Sequence, residues 1–187
     1  MNERVMDSLG SCNYPDPLIP TSRELNQAKG TLMRLKRLAG PDRITDFATT
    51  AVFMDTQTSA NELLSPIRAG FAVFEYLNRP HVVAQANMVY LQVRRQLEYI
   101  KEDLPGAAGI VAWWDLFIQD YFNVVGTRAQ AWAREIIDVA AEPFFEARRA
   151  GRQLAIHDEV MEALQYFLNA IDTMTIPGLQ IMSNLQP

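Results

Sequence analysis

The chain has 187 residues, of which 49% are hydrophobic and 21% charged, the balance of a folded globular domain rather than of a disordered segment. A chain of this length buries about 70% of the surface its unfolded form exposes, so it needs no disulfide or metal to hold a core. Cys12 is the only cysteine, which excludes an intrachain disulfide and points to a reducing compartment, and the net charge of −5 excludes the coating of nucleic acid by bulk electrostatics alone.

Residues 1–20 read as an extended arm, because Pro15, Pro17 and Pro20 follow one another too closely for a helix. Thr21-Ser-Arg-Glu24 fits a capping box, and Leu25, Ala28, Leu32, Leu35 and Ala39 continue it as one helical stripe that Gly40-Pro41 ends. Phe47, Ala51 and Met54 predict a short helix within 45–58, against the β-branched Thr49, Thr50, Val52 and Thr56. Ser65-Pro66 reads as a cap followed by a first-turn proline, opening a helix with Ile67, Phe71, Phe74 and Leu77 that stops at Asn78-Arg79-Pro80.

The clearest helix runs from about His81 to Leu104 on Val82, Ala86, Val89, Val93, Leu97, Ile100 and Leu104, before Pro105-Gly106 breaks it. The next pattern spans Gly109 to Ala141. Its arc holds Ile110, Trp114, Phe117, Tyr121, Val125, Trp132, Ile136 and Val139, with Gly126-Thr127 expected as a bend. Pro143 is expected to interrupt, residues 144–150 to add a turn or two, and Gly151 to cap them. A last helix, about Ala155 to Thr173, carries Ile156, Val160, Leu164, Phe167, Ile171 and Met174, and Pro177-Gly178 ends it. The reading is all-α: a single bundle over 21–175 of about five to seven helices, an arm over 1–20 and an apolar tail over 176–187.

The residues offer little to catalysis. His81 and His157 lack an acidic residue three positions before them, so the carboxylate-bridged metal pattern of helical bundles is absent, and one cysteine with two distant histidines matches no zinc spacing. No nucleophile elbow, phosphate loop or dinucleotide fingerprint occurs. No catalytic, cofactor-binding or metal-binding set is therefore expected. An acid pair in an interhelical cleft, drawn from Asp115, Asp120 and Glu135, is the enzymatic alternative.

Arg128 falls inside the apolar arc of the 109–141 helix, and an arginine there needs a partner; Glu135, two turns on, is the candidate for a buried ion pair. Lysine is scarce (Lys29, Lys36 and Lys101 only), and arginine suits bidentate contacts. Arg34, Lys36, Arg37, Arg43, Arg94, Arg95, Arg148, Arg149 and Arg152 are the candidates for phosphate contacts, should the chain package nucleic acid as a coat-type subunit.

Both ends carry uncharged apolar residues: Tyr14, Leu18 and Ile19 in the arm, and Leu179, Ile181, Met182 and Leu185 in the tail. Such segments gain by docking on their own bundle or on a neighbour. The favoured expectation is a non-enzymatic helical protein that self-associates, with a helical toxin or effector as a further alternative. Residues 1–7 include acids and no apolar run, and no charge-free window reaches the roughly 18 to 20 apolar residues of a membrane span, so the expected location is cytoplasmic, away from membranes.

Overall fold

The computed structural model describes residues 22–178, and the arm and tail residues named above lie outside them. Among the described residues there are helices and no strands, as the sequence predicts. The helices are α1 (Arg23–Met33), α2 (Pro41–Met54), α3 (Gln57–Leu77), α4 (Pro80–Asp103), α5 (Ile110–Arg149) and α6 (His157–Ala170), with short 3-10 turns at Pro105–Ala107 and Ile171–Thr173. No described helix is long and apolar enough to cross a membrane. The chain divides into two compact units: Ser22–Glu75 with Val125–Thr175, and a second built around Tyr76–Val124.

Several boundaries differ from the sequence reading, each for a local reason. The cap of α1 is Ser22, whose hydroxyl accepts the Leu25 N–H at 3.2 Å. This helix ends at Met33, six residues short of Ala39. Its end closes by Lys36 N–H to Thr31 O and Leu35 N–H to Leu32 O, which puts Leu35 at φ +58°, the position glycine usually takes in this motif. Pro41 does not end a helix; it is the first residue of the next one, where its missing N–H costs nothing.

The start expected at Ser65-Pro66 lies inside α3. The true cap is Thr56, whose Oγ1 accepts the Ser59 N–H at 3.3 Å and contacts the Ser59 hydroxyl at 3.0 Å. Pro66 deprives the Glu62 carbonyl of its donor, and because Glu62 is exposed, water can take that bond. Pro143 likewise does not interrupt: α5 runs unbroken for 40 residues to Arg149. Val139, which loses its donor, borders an open surface pocket with Pro143, so solvent reaches it. Gly151 does end α5, at φ +75°, with Arg152 N–H to Ala147 O closing the turn.

The larger unit is built by close approach of small residues. On α5 the buried set is Val125, Gly126, Ala129, Trp132, Ala133, Ile136, Ile137, Ala140, Ala141, Phe144 and Ala147. A β-carbon on Gly126 would meet the Met174 carbonyl at 3.3 Å, so this glycine makes room for the backbone at 174–175. Gly70 on α3 admits the Trp132 indole, whose Nε1 donates to the Ala39 carbonyl at 2.9 Å. Ile44, Ala48 and Ala51 of α2, Leu63, Leu64, Ile67 and Phe74 of α3, and Val160 and Leu164 of α6 complete the core. Asp55, at φ +48°, turns its carboxylate onto the Ala155 and Ile156 N–H groups at 2.9 and 3.2 Å, capping α6 from a distant loop. Arg152 returns the tie by donating to the Val52 carbonyl at 3.0 Å.

Candidate functional site

The unusual surface is the first part of α5, Ile110–Val124. Ten of its residues are large and apolar (Ile110, Val111, Trp113, Trp114, Leu116, Phe117, Ile118, Tyr121, Phe122 and Val124), yet none is buried. At 100° per residue, Trp113, Leu116, Phe117 and Val124 share an arc of about 100°. They are 71%, 59%, 57% and 41% exposed. Aromatic rings line the flank: Trp114 lies 6.1 Å from Phe117, which is 6.0 Å from Tyr121, which is 5.9 Å from Phe122.

A polar network fixes this segment against α4. Tyr90, buried on α4 and stacked on Trp114, donates its hydroxyl to the Asp115 carboxylate. Arg94 donates to the other Asp115 oxygen at 3.5 Å and to Glu98 at 2.6 Å. Burial, and then the Asp115 carboxylate, push the Tyr90 phenol up to about 12. Burial also raises the Tyr121 phenol. Asp115 is thus held between a phenol and a guanidinium, while Asp120 is exposed.

The expected buried pair of Arg128 and Glu135 does not form. Arg128 is exposed, and the Glu135 carboxylate is held by Arg37, at 3.1 Å from Nη2 and 3.3 Å from Nη1. The reason is rotational. The buried arc of Val125–Ala147 centres on Gly126, Ala129, Ala133 and Ala140, about 90° around the wheel from the large-residue stripe, and Arg128 falls outside it.

The candidate phosphate contacts do not gather into one groove. Arg43 lies over the Phe47 ring at 5.1 Å, Arg94 is spent on Asp115 and Glu98, Arg149 reaches Glu142 at 3.4 Å, and Arg152 ties α2. Arg148 and Arg149 sit in the last turn of α5, where a cation complements the helix dipole. Arg34 folds back over Gly30, and Arg95 is exposed on α4. Only Lys36 and Arg37 converge, and they do so with Arg128, around a pocket. His157 opens α6 with Nδ1 3.0 Å from Asp158 Oδ1, and His81 is exposed in the first turn of α4. Among the described residues no cluster of three or more His, Cys, Asp or Glu could hold a metal ion.

The sequence reading overlooked Trp113 and Leu116. The signal was present: Trp113-Trp114 and Leu116-Phe117 are neighbours 100° apart on a helix, so one buried stripe cannot take all four. No protein-family model, curated protein or solved structure matches this chain.

Proposed function

We propose that this chain is a non-enzymatic helical protein that works by self-association, with the Trp113, Leu116, Phe117 and Val124 face as its contact surface. The observation that carries the reading is the exposure of these side chains together. Such a patch presents about 400 Å² of apolar surface, at the size where patches on folded proteins mark interaction sites. A second copy is the fitting occupant. From Ile110 to Thr127 there is no lysine or arginine, so the face offers nothing to a phosphate backbone or an acidic partner, whereas an apolar stripe whose one charge is the exposed Asp120 can pack on a copy of itself offset so that this carboxylate stays in water. Two copies cover about 800 Å² of apolar surface, the core of a standard interface that a polar rim completes.

Light scattering coupled to size exclusion tests it on the full chain. The unsubstituted protein is expected to show a concentration-dependent mass above that of one chain. Trp113→Ser combined with Phe117→Ser, both at exposed positions, is expected to give a monomer with an unchanged circular-dichroism spectrum. A monomer at every concentration, or a variant that associates as before, refutes the proposal.

A further inference from the structure

The pocket that Lys36, Arg37 and Arg128 border lies wholly within the larger unit, between the end of α1 and the middle of α5. Its volume is about 220 Å³, and Leu32, Leu35, Val125, Ala129 and Trp132 supply apolar walls. A cavity of about 150 Å³ takes one benzene ring, so this space holds a ring with a charged substituent.

The charge is one-sided. Three cations face one carboxylate, Glu135, leaving a net of +2 (three minus one) on the rim. Glu135 is already shared with Arg37, and both are about half exposed. Among the described residues nothing pairs with the Lys36 or Arg128 side chains, which are exposed in a protein of net charge −5. Leu35 supplies the independent observation. A leucine held at φ +58° is strained where the glycine this helix end would take is not. What the leucine provides and glycine cannot is an apolar side chain on the wall of this pocket. Strain of this kind collects at binding sites.

We propose that this pocket binds a small organic anion, a single ring or short chain ending in a carboxylate or phosphate. The apolar body lies against Leu35 and the neighbouring walls, and the anion sits between Lys36 and Arg128 while competing with Glu135 for Arg37. The way Arg37 grips Glu135 shows the rim geometry accepting a carboxylate in two-point fashion. The site is separate from the contact face proposed above, and its failure would leave that reading standing.

Calorimetric titration of the full chain at low salt with benzoate, phenyl phosphate and uncharged benzamide tests it. Benzoate and phenyl phosphate are expected to bind in the millimolar range or tighter, their ratio telling which headgroup the rim prefers, and benzamide is expected not to bind. Arg128→Gln should weaken binding about fivefold, and Lys36→Gln with Arg128→Gln should abolish it, with an unchanged circular-dichroism spectrum. Glu135→Gln, which releases Arg37, should tighten it severalfold. Equal binding of benzamide, undiminished binding by the double variant, or no binding of either anion at about 10 mM would overturn the proposal.

Discussion

Gly70 carries a sharp test of how the larger unit is held. A β-carbon there would lie 2.7 Å from Cζ3 and 3.2 Å from Cη2 of Trp132. Carbon atoms rest at about 3.5 to 4.0 Å, so the indole must withdraw by about 1 Å. It has nowhere easy to go: Trp132 is buried, and its Nε1 is tied to the Ala39 carbonyl at 2.9 Å. Gly70→Ala therefore costs about 1–3 kcal/mol of overpacking, and about the same again where the shift leaves that buried carbonyl unpaired. The helical preference of alanine over glycine returns about 1 kcal/mol. The expected net is a loss of about 1–5 kcal/mol. Gly30→Ala provides the opposite sign, because its new β-carbon meets only the flexible Arg34 guanidinium, at 3.5 and 4.0 Å. There the helix preference stands alone and stability should rise by about 0.5–1 kcal/mol. Urea unfolding followed by tryptophan fluorescence and circular dichroism reads both. A Gly70→Ala midpoint at or above that of the parent, or one sign for both substitutions, would show that the Gly70–Trp132 contact does not limit the packing.

Asp55→Ala removes the distant cap of α6 while keeping a side chain at left-handed φ, so a loss of about 1–3 kcal/mol is expected; Asp55→Asn, which tolerates that φ and keeps an acceptor, should fall between, and a urea midpoint unmoved by either would discount the cap. Tyr90 ties pH to the smaller unit. Its folded pKa, about 12, lies above the ordinary 10.0, so its share of stability is complete below pH 10 and is lost as pH climbs from 10 through about 12. The unfolding midpoints of the parent and Tyr90→Phe should therefore converge across that window, and a constant gap would count against the Asp115 bond. Leu35→Gly should raise stability by up to about 1 kcal/mol while weakening benzoate binding; a variant that binds benzoate as tightly as the parent would separate the strain from the pocket.

The helices themselves were legible because their stripes repeat at 3 and 4, and Gly151 announced its own turn. The misplaced boundaries share one cause: local punctuation was outvoted by packing. Arg34-Leu35-Lys36-Arg37 reads as helix to any propensity argument, but Ala39 is wanted as a loop carbonyl for the Trp132 indole. Pro66 reads as a helix start and Pro143 as a break, yet each lies inside a helix and frees a carbonyl that water can reach, and the buried residues on either side of it hold the helix together. The Arg128–Glu135 expectation failed on the weight given to residue size. Large side chains marked one arc of α5, whereas glycine and alanine, which let backbones approach, marked the arc that was buried. The pocket was invisible for a different reason. Lys36, Arg37 and Arg128 are brought together across more than ninety positions of sequence, and no spacing rule reports that.

Those two uses of side-chain size on one helix bear on what the chain does. Within Val125–Arg149, small residues sit in the core and the aromatic ones are few, an arrangement that satisfies folding alone. Within Ile110–Val124 the same helix carries five aromatic residues in fifteen positions, against three in the twenty-five of Val125–Arg149, and leaves Trp113 and Phe117 more than half exposed. Full burial of one such side chain is worth about 1.5–3 kcal/mol, so the exposed Trp113, Leu116 and Phe117 together forgo several kcal/mol in the isolated chain. Serine or glutamine at these positions would keep the helix, improve solubility and lose nothing in the core. Retaining aromatics there makes energetic sense where another surface collects that free energy, as the proposed self-association would, and the bonds of Tyr90 and Arg94 to Asp115 hold the segment in one arrangement, which lowers the ordering cost of such a contact.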